Sequence, residues 1–578
     1  MMKLLADVIA VVRARAAHTA FGAADAVGTF GTFGAADAVG AVGAADAFGA
    51  RRVDALRRVG LVSLLALLPA AVQAAALGAD DARHLLTRSG FAPTEREVKS
   101  LAGLNREQAV EQLLAAAGAA AHTAPPAWVQ EPVEHPARVS NLTDAERRAF
   151  QQREALRNAK LKAWWMTQML QTPAPLAERM TLFWHNHFVS SAQKVRAPQL
   201  MYRQHLLLRQ HALRNFGALL HAAAKDPAML IYLDAATSRK GQPNENFARE
   251  VMELFTLGEG HYSERDIKEA ARAFTGWSVD REDSAAFLIR RMQHDDGVKT
   301  VLGRSGNFDG DAVLDILLAQ PAAAEFIVTK LWREFVSPDA DAPANRREIV
   351  RIANAFRASR YDIQMALRGI FTSPRFYAPE HRAALVKSPV ELVAGTVRQF
   401  GVRYTDALPF AMLAAGLGQN LFAPPNVRGW PGGEAWINST TLLARKQFIE
   451  RLFRVDGMHE AGDGMAQAAA MGVAMGTSMG VAMGTSMGAA PEAAPRRAEF
   501  GQMANAGRVG PEGRERLARA AANIQFDSGA FLAQFGIQPP DTIRRAVLPA
   551  EPATPPAAQL HAQGFLKALL LDPVYQLK

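Results

Sequence analysis

Cysteine is absent from all 578 residues. That excludes disulfide frameworks, thiolate metal sites, iron–sulfur clusters and cysteine nucleophiles together. Any metal must be held by His, Asp, Glu or water, and stability must come from core burial. Charge of one sign is also in short supply: Lys+Arg 65 against Asp+Glu 56 gives a formal +9. Residues 1–74 hold seven Lys/Arg and five Asp/Glu, so the remainder keeps +7. No dense Lys/Arg run interleaves with aromatics, so no nucleic-acid partner is expected. A mildly basic surface suits an anionic membrane or an acidic polymer instead. Alternating, β-branched strand patterns are scarce. Apolar runs of the roughly 20 residues needed to span a bilayer are missing as well.

A shorter apolar run is present. LVSLLALLPAAV at 61–72 follows Arg51-Arg52 and Arg57-Arg58 and leads into the small-residue site Val72-Gln73-Ala74. These are the three parts of a secretory signal peptide. Residues 53–74 are therefore expected to direct export to the periplasm or beyond, with no transmembrane anchor after cleavage. Ahead of them, FGAADAVG recurs at 21–28 and 33–40, and GAADAFG follows at 43–49. Such a Gly/Ala tract has little to bury and reads as a low-complexity leader, residues 1–52. Translation is expected to start near Val53 through a non-Met initiation codon.

Beyond residue 75, helix signals recur with few breaks, and the expected class is all-α: a large multi-helix body with at most a short β-hairpin. Thr94 with Glu97, Asn105 with Gln108, and Ser388-Pro389 with Glu391 have capping-box spacing. Asp226-Pro227 and Asp309 head further helices. Ser263 with Asp266 opens one in which Ile267, Ala270, Ala271 and Phe274 share a face before Gly276 stops it. Residues 298–302, after Asp295-Asp296-Gly297, are the best candidate for a hairpin arm. MGVAMGTS repeats in tandem at 471–486, and residues 457–505 read as a flexible Met/Gly/Ala-rich insertion. That leaves a main helical domain at 75–456 and a C-terminal helical segment at 506–578 that docks on it.

Several ordered segments carry a family resemblance: ERMTLFWHNHF at 178–188, DPAMLIYLD at 226–234, RKGQPNENFAREVMELFTLGEGHYSERDIKEAARAFTGW at 239–277, KLWREFV at 330–336 and PPNVRGWPGGEAWINSTTLLAR at 424–445. With FDGDAVLDILLAQP and KSPVELV, they resemble the bacterial "domain of unknown function 1800" family over roughly residues 80–455 and the C-terminal tail. The resemblance implies an exported bacterial protein, often encoded beside a "domain of unknown function 1501" protein with a sulfatase- or phosphatase-like look. It implies no activity.

Four constellations are candidates for chemistry. In Trp184-His185-Asn186-His187-Phe188, the two imidazoles lie about 200° apart on a helix, at ~100° per residue. Both reach one metal only if the helix ends there; otherwise His187 is buried and hydrogen-bonded while His185 is exposed. Glu250 and Glu253, three residues apart beside the stripe Phe247, Val251, Leu254 and Phe255, are spaced to share a ligand. Either could instead pair with Arg249, Arg239 or Arg272. His261, in the Gly-flanked loop GEGHY, suits a general acid or base. Trp430 and Trp436, with Arg428 in the same Pro/Gly-rich loop, could stack on a sugar or seal the core beneath. Ser439 or Thr440 is expected to cap the helix that follows. No Walker, Rossmann, EF-hand or nucleophile-elbow spacing occurs.

Two functions follow. The first is a His/Glu-site, hydrolase-like enzyme acting on a cell-surface or extracellular polymer. In it, His185, His187, Glu250 and Glu253 hold a divalent metal ion, His261 and Glu253 are catalytic, and Trp430, Trp436 and Arg428 bind substrate. The second is a non-catalytic binding or assembly protein that partners the sulfatase-like neighbour or an envelope polysaccharide, its ionisable residues acting as internal struts.

Overall fold

Helix starts are set by side chains that satisfy first-turn N–H groups, and a computed structural model shows them at work. Thr94, Asn105, Ser263 and Ser388 each accept from the N–H three residues on, and the acid or amide there returns to the cap's own N–H. Asp226 accepts from Met229 N–H at 2.9 Å, and Asp309 from Ala312 N–H at 2.9 Å. The helix Ser439–Ala461 departs from expectation. Its cap is neither Ser439 nor Thr440 but Asn438, whose Oδ1 accepts from Thr441 N–H at 2.9 Å while the Thr441 hydroxyl accepts from Asn438 N–H at 2.9 Å. The reciprocal pair satisfies two donors where a lone hydroxyl satisfies one.

The structure describes residues 75–118, 121–134, 136–280, 285–461 and 511–578. The leader, the expected signal peptide and nearly all of the Met-Gly insertion lie outside the described residues. Within them the fold is all-α apart from two short two-stranded sheets. The long helix Asp144–Gln171 carries Pro389–Gln399 and Leu408–Gly416 on one side and Pro198–His211 on another. Pro175–His187 packs on Pro198–His211, and Pro321–Phe335 on Pro343–Ala358. One apolar cluster runs through all of them, with the indoles of Trp165, Trp184 and Trp332 fully buried. No single helix among the described residues is long and apolar enough to cross a membrane.

The expected hairpin arm is present as Lys299–Val301 paired antiparallel with Arg304–Gly306. A second pair, Trp277–Val279 with Phe287–Ile289, had no strand signal in the sequence. At the far end of the chain, Val386 and Leu577 form a bridge, with Lys578 N–H donating to Leu385 O at 2.8 Å. This brings the Lys578 ammonium onto the buried Glu391 carboxylate, which also takes Arg179 at 2.6 Å. Those two cations hold the Glu391 carboxyl well below its ordinary value in spite of burial.

Candidate functional site

The helix Pro175–His187 ends at His187, yet both of its histidines turn inward, at 4% exposure for His185 and 2% for His187. The exposed His185 of the simple helical reading is overturned because Pro198–His211 packs across that face and brings His205. His185 Nε2 and His205 Nδ1 share a proton-bearing contact at 3.2 Å. Trp165, Trp164 and Phe422 box the two rings, with Trp165 4.5 Å from His185 and 4.8 Å from His205 between ring centres. Burial without a compensating anion drives His185 down to about 3, and His205 also falls well below its ordinary value. Both are neutral at physiological pH. Next along the same helix, Gln204 donates to Ser190 Oγ at 2.8 Å and to Asp226 at 2.9 Å. Burial pushes Asp226 up to about 7.

His187 takes a different route. Its Nε2–H donates to Phe255 O at 3.1 Å, and the Lys330 ammonium donates to Nδ1 at 2.8 Å. Both ring nitrogens are thereby used and the tautomer is fixed. Phe255 O is free to accept because Glu245–Met252 opens into a π turn at Glu253–Leu257, ended by Gly258 at φ +80°. Burial lowers His187 first, and the Lys330 charge lowers it further. Burial in turn brings Lys330 down to about 8.

Glu250 and Glu253 lie on the other side of that π turn. Tyr262 Oη donates to Glu253 Oε2 at 2.6 Å, and Arg428 reaches Glu253 and Glu259 at 3.4 Å each. Burial, then the Glu253 carboxylate, hold the Tyr262 phenol well above its ordinary value. Glu250, 9% exposed, is raised first by burial and then by Glu253. The arginines expected as partners are spent elsewhere: Arg249 on Glu264, Arg272 on Glu269 and Asp295, and Arg239 on Gln242.

The remaining candidates separate in the same way. His261 is exposed on its loop. Trp430 and Trp436 are buried, at 4% and 5% exposure, so they seal the core and present no open stacking face. Asn186, between the two histidines, latches their loop: its Oδ1 accepts from Trp430 N–H at 2.6 Å. Gly429, at φ +89°, lies against that amide so closely that a Cβ would sit 2.2 Å from the oxygen. Arg428, by contrast, is 69% exposed at its side chain.

The structure therefore does not gather His185, His187, Glu250 and Glu253. Among the described residues no group of three or more His, Asp or Glu is placed to hold a metal ion. What it gathers is a carboxylate–tyrosine–arginine face made by Glu250, Glu253, Glu259, Tyr262 and Arg428. A cleft of 440 Å³ lined by Trp164, Lys160, Asp406 and Arg516 contains none of the residues singled out in the sequence. Sequence reasoning missed His205, Gln204 and Lys330. The one signal available was polarity at a position flanked by apolar residues, Leu206-Leu207-Leu208 after His205 and Leu331-Trp332 after Lys330.

Neither a search of curated proteins nor a search of solved structures found a match. A model of the family described as "Protein of unknown function (DUF1800)" matches residues 84–577, and the chain belongs to that family.

Proposed function

We propose that the chain is an exported, non-catalytic binding or assembly protein whose recognition surface is the carboxylate–tyrosine–arginine face beside the π turn. The observation that carries this reading is the division of labour across Glu245–Leu257. On the imidazole side the histidines are buried, with both nitrogens of His187 occupied by internal partners. The opposite side exposes Glu259 and Arg428, with Glu253 and Tyr262 half-buried beside them. Buried polar groups that satisfy one another specify a structure, whereas exposed ones of mixed sign recognise a partner. The partner is the sulfatase-like product of a neighbouring gene or an envelope polysaccharide, and export follows from the signal-like residues 53–74.

Co-purification tests it. A stable stoichiometric complex, with no turnover by the chain alone, is expected. Turnover of an extracellular polymer by the chain alone would overturn it. One observation favours the hydrolase-like reading, re-centred away from the histidines: burial, then the neighbouring Glu253 carboxylate, raise Glu250 above its ordinary value, the direction a general acid needs. In that case Glu250→Gln abolishes activity while His185→Phe spares it.

A further inference from the structure

The second strand pair ends in an apolar tip. Ile289 is 50% exposed, Met292 96% and Val298 68%. These are three of a small set of large hydrophobic side chains left in water among the described residues, and they fall within ten residues of chain. Two turns meet there, because Lys240 N–H donates to Gln293 O at 2.7 Å and Arg290 N–H donates to Gly276 O at 2.7 Å. The turn at 239–242 thus lies beside residues 289–293.

The tip is basic. Arg239, Lys240, Arg290 and Arg291 are all exposed. Arg239 bonds to the Gln242 amide and Arg290 to the Ser278 hydroxyl, both neutral groups. Of the nearby acids, Asp295 is taken by Arg272, and Asp296 is exposed. Four exposed cations therefore lie on the same two turns as the uncovered side chains of Ile289 and Met292. A soluble polyanion would answer the charge alone and leave Met292 in water. An anionic lipid surface answers both, since headgroups meet the cations and the acyl boundary takes the thioether and the branched chain.

We propose that this tip is a membrane-contact surface, with Arg239, Lys240, Arg290 and Arg291 on anionic headgroups and Ile289 and Met292 entering the acyl boundary. It is separate from the carboxylate–tyrosine–arginine face and stands or falls without it.

The test is co-sedimentation of the exported form, secreted and cleaved of its signal, with vesicles of equimolar phosphatidylglycerol and phosphatidylcholine, against vesicles of phosphatidylcholine alone. Retention on the anionic vesicles only is expected, and it should fall away at about 0.5 M salt as screening shortens to a few ångströms. Lys240→Gln with Arg291→Gln should weaken it about 25-fold, at about five-fold per cation lost. Met292→Ser should weaken vesicle binding and leave any binding to soluble polyglutamate unchanged. All three sites are exposed, and circular dichroism verifies that the variants keep the parent fold. The proposal is overturned by equal retention on neutral vesicles, by no retention on anionic ones, or by variants that bind like the parent. It is also overturned if Met292→Ser has no effect while the charge variant loses vesicles and polyglutamate alike, which would mark a polyanion surface.

Discussion

Lys330 and His187 meet end to end: the ammonium donates to Nδ1 at 2.8 Å, and the ring passes its own Nε2–H to Phe255 O at 3.1 Å. The imidazole thus ties Pro321–Phe335 to the π turn through the end of Pro175–His187. His187→Ala should cost roughly 2–4 kcal/mol, the sum of lost packing and two stranded polar groups. Urea denaturation at neutral pH measures it. Lys330→Met keeps the stem and removes a half-buried charge, so it should cost much less.

Acid should unfold the protein earlier than its carboxylates alone require. The folded-state value of His185 lies near 3, below its ordinary 6.5, so the unfolded chain takes up protons first. The stabilisation is complete above 6.5 and is lost as pH falls toward about 3, at up to ~1.4 kcal/mol per pH unit for each such imidazole. His187 and His205 act in the same direction. His185→Phe, which suits the surrounding aromatic box, should flatten the stability–pH curve below 6.5. Denaturation midpoints across that window provide the check.

Glu391 is the anion on which the buried C-terminal clasp depends. Glu391→Gln leaves Arg179 and Lys578 in the interior without their shared carboxylate. A loss of about 3–5 kcal/mol is expected, the range for stripping one partner from a buried pair. Lys578→Met should cost less, because Arg179 still covers the carboxylate. Chemical denaturation of the two variants side by side distinguishes them.

The latch at Asn186 gives a sharper steric prediction. Gly429→Ala places a methyl group against the Asn186 amide in a left-handed conformation, so it should destabilise by more than the ~1 kcal/mol of an ordinary Gly-to-Ala strain at positive φ. Trp430→Ala should lose roughly 3–5 kcal/mol through the cavity it leaves. Thermal unfolding measures both, and neither variant should alter binding except through unfolding.

Local rules were legible in the sequence because they act over three or four residues. The caps at Thr94, Asn105, Asp226, Ser263, Asp309 and Ser388 are each a side chain bonding to the backbone of its own first turn. The hairpin at Lys299–Val301 was announced by the turn residues before it. The strand pair Trp277–Val279 was not, since three residues carry no period. The π turn was equally hidden: Phe247, Val251 and Phe255 fit an uninterrupted α-helix, and the widened turn shows only in the folded backbone, where Gly258 N–H donates to Glu253 O five residues back at 3.0 Å. His185 was misplaced for the same reason. Its partner His205 is 20 residues away, and helical periodicity describes one helix without saying what packs across it.

The most direct test of the division of labour is a binding titration with a protein of the "domain of unknown function 1501" type, the partner proposed above. It compares Glu253→Gln and Arg428→Gln with His185→Phe, each first shown to melt like the parent. The two face variants should weaken the complex at least about ten-fold, as expected for charged contacts at an interface centre, while His185→Phe binds like the parent. Loss of binding in His185→Phe at unchanged stability, with both face variants binding normally, would contradict it.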